Sequence, residues 1–178
     1  MNNSVMKIFG DWRARVNRAD EEKKARRAKA WEDLLIPKVD FVDPQRVAEF
    51  LGRNTEYRAD RALRGRWQTP EETWLAGVGD CEDLAALFSA IATANSIPHT
   101  VNVMFAPRQR EGHVYVAGRF DRSGSYWAVS NNQFFKVLPS CRPEDIVARQ
   151  IGWARPYHIM TLWPETVARL TVGKEVTA

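Results

Sequence analysis

An α+β fold is expected from this chain of 178 residues, and three features carry the expectation. Leu84, Leu87, Phe88 and Ile91 recur at helical spacing directly after Gly77-Val78-Gly79-Asp80-Cys81, so one face of that segment should be buried. Three stretches then alternate apolar and polar residues, over 99–105, 113–120 and 125–130, and read as an antiparallel meander. Ahead of both lies a basic stretch, residues 11–35, without glycine or proline, which reads as a helical extension. The expected division is 1–36 for this extension or arm and 37–178 for the main domain.

Composition narrows the function classes. A hydrophobic fraction of 44% and seven tryptophans suit a folded chain with a proper core. No run of about 18 apolar residues is present, so no membrane-spanning helix is expected. The first residues, Met1 to Phe9, lack a secretory apolar core, and the two cysteines do not suggest a disulfide framework. A reduced, cytoplasmic compartment is the expectation. The formal charge of +4 is mild and does not demand nucleic acid.

The extension has few large apolar residues: Trp12, Val16, Trp31, Leu34 and Leu35. Its polar middle suits a solvated helix whose ends dock, or an arm that binds a partner protein or an acidic surface. Ile36-Pro37 should stop it. Asp43-Pro44 starts the next helix, with Asp43 as cap, Pro44 in the first helical position and Gly52 at its end. A polar connection leads through Tyr57 and Asp60 to Trp67. Thr69 and Glu72 then form a capping box, with Pro70 just inside the helix that Gly77 closes. Asp80 caps the helix that follows and places Cys81 in its first turn.

After Pro98 the strands follow. Val101, Val103 and Phe105 share one face of the first. Val114, Val116 and Phe120 share one face of the second, and His113 falls on the other, at the strand's start. Asp121 to Gly124 is a hairpin turn. The third strand, 125–130, ends at Asn131-Asn132. Residues 134–138 suggest a fourth strand, 143–152 a short helix and 157–163 a strand or packed loop. Trp163-Pro164 breaks that segment, and the last residues are expected to fray.

Cys81 is the pivotal residue. A buried small side chain would explain it, since cysteine is among the most buried residue types. The Gly-x-Gly-Asp lead-in favours a nucleophile instead. Unpaired N–H groups and the dipole at a helix start stabilise a thiolate, so its pKa should lie below the ~8.5 of a free cysteine. Glu82 and Asp83 work the other way. A nucleophile needs a base and the base an orienter. His113 opens one strand and Asn131 or Asn132 ends its neighbour, close enough for imidazole and carboxamide to meet. His99, His158 and Cys141 read as structural, and no Cys-x-x-Cys or histidine cluster suggests zinc.

Here the chain resembles the transglutaminase-like cysteine peptidases, distant relatives of papain in fold, in their bacterial and phage form. The motifs are Gly79-Asp80-Cys81-Glu82-Asp83-Leu84-Ala85, Ile97-Pro98, Gly112-His113-Val114-Tyr115 and Trp127-Ala128-Val129-Ser130-Asn131, with Trp67-Gln68-Thr69-Pro70-Glu71-Glu72 upstream. They cover a bit over a third of the chain. The resemblance implies a nucleophile helix packed on an antiparallel sheet, with Cys81 as nucleophile and His113 as base. Its third position, usually aspartate, is Asn131 here. Asparagine can hold the ring but cannot offset imidazolium with a full charge. The Cys81 N–H and the Gln68 carboxamide are the candidate oxyanion donors. The implied chemistry is thiol-dependent acyl transfer on a peptide or side-chain amide, with no metal or organic cofactor. The other implied role is a catalytically weak or inactive member with a structural or assembly task, such as in a phage virion.

Overall fold

A computed structural model describes residues 21–23, 25–35, 41–59, 66–107, 111–120, 124–154 and 157–171. Residues 21–23 and 25–34 are helical and form α1. The elements after it are α2 (Pro44–Asn54), β1 (Glu56–Tyr57), α3 (Pro70–Ala76), β2 (Val78–Gly79), α4 (Cys81–Ala94), β3 (Thr100–Ala106) and β4 (Glu111–Arg119). Then come β5 (Tyr126–Ser130), β6 (Gln133–Val137), α5 (Pro143–Gln150), β7 (His158–Leu162) and α6 (Pro164–Thr171). The hairpin expected at 121–124 and the first twenty residues of the extension fall mostly outside the described residues.

The main sheet runs β6-β5-β4-β3-β7, antiparallel throughout. Two of its junctions, β3-β4 and β4-β5, are the expected meander; β6 adds on outside β5 and β7 outside β3. Two apolar cores flank it. On one face Leu87, Phe88 and Ile91 of α4 are fully buried against Val101, Val114, Val116, Trp127 and Val129. Each such side chain contributes about 1.5–3 kcal/mol on leaving water. Trp127 packs on Phe88 at 5.9 Å between ring centroids. On the other face Met104, Tyr115, Ala117 and Ala128 meet Val147 and Ala148 of α5. Alternation along β4 therefore sends Val114 and Val116 toward α4 and Tyr115 toward α5.

Helix starts follow their caps. The Asp43 side chain accepts the Gln45 N–H ahead of Pro44. Thr69 and Glu72 make the expected capping box, and Gly77 closes α3 with φ +68°. Gly52 does not end α2, which continues to Asn54. The Thr55 hydroxyl and the Asn54 carboxamide donate to the Leu51 and Phe50 carbonyls, satisfying the helix end two residues later. The polar connection after it contains β1, which pairs in parallel with β2 just ahead of Cys81.

Beyond Trp163 the chain is helical from Pro164 to Thr171, and the last residues, expected to fray, lie outside the described residues. The Trp163 carbonyl accepts from the Thr166 and Val167 N–H groups, and Val167 and Thr171 are buried. This eight-residue helix is held by packing on α4 rather than by its own propensity.

The extension docks through one stripe of α1. Arg27, Ala30, Trp31 and Leu34 are its less exposed residues, and Leu34 enters the core on the α4 face. The Arg27 guanidinium donates to the terminal carbonyls Trp74 O of α3 and, at 2.6 Å, Asn54 O of α2. It also lies 5.0 Å from the Trp74 ring centroid, whose indole N–H returns a bond to Arg27 O. The opposite face of α1, with Lys23, Arg26 and Lys29, is exposed.

Gly118 is the tightest point of the sheet. A Cβ there would run into the Trp127 ring and stand 2.6 Å from the Pro98 carbonyl. Gly118→Ala is expected to cost about 3 kcal/mol, because neither neighbour is a flexible chain end. A denaturant midpoint shift at unchanged slope measures it.

Candidate active site

The first turn of α4 is assembled by backbone bonds to two aspartates. Asp80 accepts from the Glu82 and Asp83 N–H groups at 3.0 and 3.2 Å, and Asp83 reaches back to the Asp80 N–H at 3.3 Å. The same Asp83 carboxylate accepts the Gln68 N–H at 2.7 Å. Asp83 is buried, so this one side chain ties the Gln68 segment and the glycine lead-in to the helix start. Gly79 is required there: a Cβ would come 2.6 Å from that of Asp83.

Cys81 is half-buried, and the Val114 backbone N–H is directed at its sulfur. The β4–β5 register explains why that donor is free. Val116 pairs with Val129, so Val114 falls opposite Asn131, where β5 has already turned away. The sulfur thus meets β4 beside His113, beyond the end of β5. Burial pushes the thiol up to about 11, with Asp80 and Glu82 adding to the rise and the Val114 N–H opposing it. The helix start was expected to lower this pKa. Desolvation outweighs it, so Cys81 rests as the neutral thiol.

His113 is buried, at 5% exposure, and burial lowers its pKa to about 4, so it too is neutral at pH 7. Its Nε2 lies 2.8 Å from Ser130 Oγ, and its ring meets Trp153 edge-on at 6.4 Å. Its side chain shares the α5 face of β4 with Tyr115. No hydrogen bond joins the ring to Cys81.

Asn131 and Asn132 make the two-residue turn between β5 and β6, with φ +48° and +63° and Ser130 paired to Gln133. Both central residues in the left-handed region define a type I′ hairpin, for which asparagine is well suited. Asn131 does not bond to the imidazole in this geometry, and its Oδ1 has no partner. The Asn132 amide donates to Thr55 Oγ1 at 2.8 Å. Ser130, fully buried, is the residue that sequence reasoning passed over. The signal was the Asn-Asn pair itself. It marks a tight turn and makes the preceding serine the last strand residue.

Gln68 is half-buried beside a polar cleft of about 210 Å³, which it lines with Arg58, Arg66, Gly79, Asp80 and Asp83. Its carboxamide has no hydrogen-bond partner among the described residues. Tyr57, paired with Gly79, is close enough for Cys81 and Asp80 to add to the rise that burial gives its pKa. A groove of about 670 Å³ lies at the far end of α4 against His99 and Trp163 and contains none of these residues. His99 is held between Ile97 O and Ser89 Oγ, each at 2.8 Å, a satisfied core histidine. His158 is exposed on β7, and Cys141 is a free thiol packed by the second core. Among the described residues no group of three or more His, Cys, Asp or Glu could hold a metal ion, and no helix is long and apolar enough to cross a membrane.

Residues 37–131 match the family model of the transglutaminase-like superfamily. Among solved structures, Legionella pneumophila LapG is similar, with 18% identity and a TM-score of 0.51 over 69% of this chain and 75% of that one. Calcium-bound LapG from the same organism gives 18% and 0.53 over 73% and 78%. At this identity the likeness is one of fold. No curated protein sequence matches the chain. The match of residues 37–131 spans more than half of the chain, and on that ground the protein belongs to the transglutaminase-like superfamily.

Proposed function

We propose that this protein is a cysteine peptidase or amidase that works through a thioester on Cys81. The observation that carries the reading is the position of Cys81: first turn of a capped, buried helix, with its sulfur brought to β4 beside His113. Both groups rest neutral, so the chemistry is general-base catalysis rather than a preformed ion pair. The thiol proton passes to His113 as sulfur attacks an amide carbonyl. The imidazolium returns that proton to the leaving amine, and a thioester remains. Water, deprotonated by His113, attacks the thioester and releases acid and free thiol. An amine in place of water gives transamidation. The Cys81 N–H and the Gln68 carboxamide are suited to the oxyanion. Asn131 is the third member by motif. No hydrogen bond joins ring and sulfur at rest, so the gap between Nδ1 and the sulfur must close for the first proton transfer.

Acyl capture tests this reading. With p-nitrophenyl acetate, a rapid burst of nitrophenolate and an acetyl group on Cys81 by mass spectrometry are expected. The burst should vanish in Cys81→Ala and persist in Cys141→Ser.

A second reading is favoured by the orientation of His113 toward Ser130 and Trp153. In that reading the fold is kept without catalysis, as a structural or assembly protein. The exposed basic face of α1 would meet an acidic partner surface. It predicts no burst, and equally slow labelling of Cys81 and Cys141.

A further inference from the structure

We infer that Ser130, and not the turn asparagine next to it, is the positioning residue that sets the tautomer and direction of the His113 ring. The inference rests on the catalytic reading of Cys81 and His113 given above. Ser130 Oγ is 2.8 Å from Nε2, and the pair is sealed, with Ser130 fully buried and His113 nearly so. Asn131 is committed to the hairpin by its positive φ, and its Oδ1 has no hydrogen-bond partner.

The choice of nitrogen gives the contact its chemical meaning. When Nε2 carries the proton, it donates to Ser130 Oγ, and Nδ1 keeps its lone pair. Nδ1 is the ring nitrogen nearer the backbone of β4, and the next residue, Val114, is the one whose N–H is directed at the Cys81 sulfur. Nδ1 is therefore the nitrogen left free to act as base. The hydroxyl remains an acceptor when Nδ1 takes up a proton, so the same bond persists through the transfer. A carboxylate in this place would also supply charge. A serine orients without doing so, and the imidazole stays neutral at pH 7. Trp153 closes the ring edge from the α5 side and limits its rotation.

Three histidines in the chain make ¹⁵N imidazole spectra assignable. The wild-type protein is expected to show His113 as the Nε2–H tautomer. Ser130→Ala should give a mixture of tautomers and at least a tenfold slower alkylation of Cys81 by iodoacetamide at pH 7. Ser130→Thr, which keeps the hydroxyl, should restore both. Ser130→Asp should raise the pH at which His113 takes up its proton, an effect that a packing role would not produce. An unchanged tautomer and an unchanged alkylation rate in Ser130→Ala would overturn the inference. Circular dichroism of each variant checks the fold, and a misfolded Ser130→Ala leaves the decision to the wild-type tautomer and Ser130→Thr. If His113→Ala itself leaves alkylation unchanged, the catalytic reading fails. The tautomer comparison still decides whether Ser130 sets the ring.

Discussion

Replacing His113 by alanine should slow alkylation of Cys81 roughly 10²–10⁴-fold at pH 7, the usual size of a lost general base. The reason lies in the resting charges. The thiol is pushed up to about 11, chiefly by burial, so its thiolate is scarce at neutral pH. An unaided sulfur in this place should react more slowly than an exposed cysteine. Any rate above that of Cys141, the other free thiol, has to come from proton removal by a neighbour. His113 is unprotonated above about pH 4 and is next in sequence to the residue whose N–H is directed at the sulfur. The variant should remove the difference between the two cysteines. Peptide mapping of an iodoacetamide time course, with each cysteine quantified separately, measures both rates in one sample.

Asp83→Ala should be the most destabilising substitution at the site, at about 3 kcal/mol or more. Two backbone N–H groups, those of Gln68 and Asp80, end on this buried carboxylate. Hydrogen bonds to a charged group are worth about 1.5–3 kcal/mol each, and donors left buried without a partner add to the loss. The consequence for chemistry is separate from that for stability. Without Asp83 the Gln68 segment is released from the helix start, so the oxyanion donor proposed there moves. Urea unfolding gives the first effect. Asp83→Asn, which keeps one carbonyl oxygen as acceptor, should recover about half of it. A full loss in Asp83→Asn would mean that charge, not the acceptor, holds the two segments together.

What could be read from the sequence was what neighbouring residues decide. Asp43, Thr69 and Asp80 cap their helices as their side-chain chemistry requires, and Pro44 and Pro70 sit where a missing N–H costs nothing. The alternation placed Val114 and Val116 on one face of β4 and His113 on the other, and they pack accordingly against α4 and Trp153. Elements fixed by distant packing were not legible. β1 and β2 are two residues each and exist because their segments lie side by side. α6 is too short to announce itself and is held by Val167 against the core. Gly52 misleads as a helix stop because capture by Thr55 and Asn54 lies beyond it.

At the site, position was legible and electrostatics was not. A helix start argues for a lowered thiol pKa, but the degree of burial depends on β4 and on the chain around it. The third member shows the same limit. Asn131 fits the motif by spacing, yet spacing does not reveal that two left-handed residues in succession turn its backbone into the hairpin. Ser130 lies inside the motif but has no role in it, and its contact with the imidazole became visible only in the fold, where β5 ends at Ser130 beside β4.

The pH dependence of Cys81 alkylation, compared between the wild-type protein and His113→Ala, bears most directly on the proposal that imidazole activates this sulfur. Base-assisted attack by a neutral thiol predicts a rate that rises near pH 4 with deprotonation of His113 and then stays level up to the thiol's own ionisation near 11. The plateau should disappear in His113→Ala, leaving a tenfold rise per pH unit. The same steady rise in both proteins, with no plateau in either, would mean that the two residues do not act together.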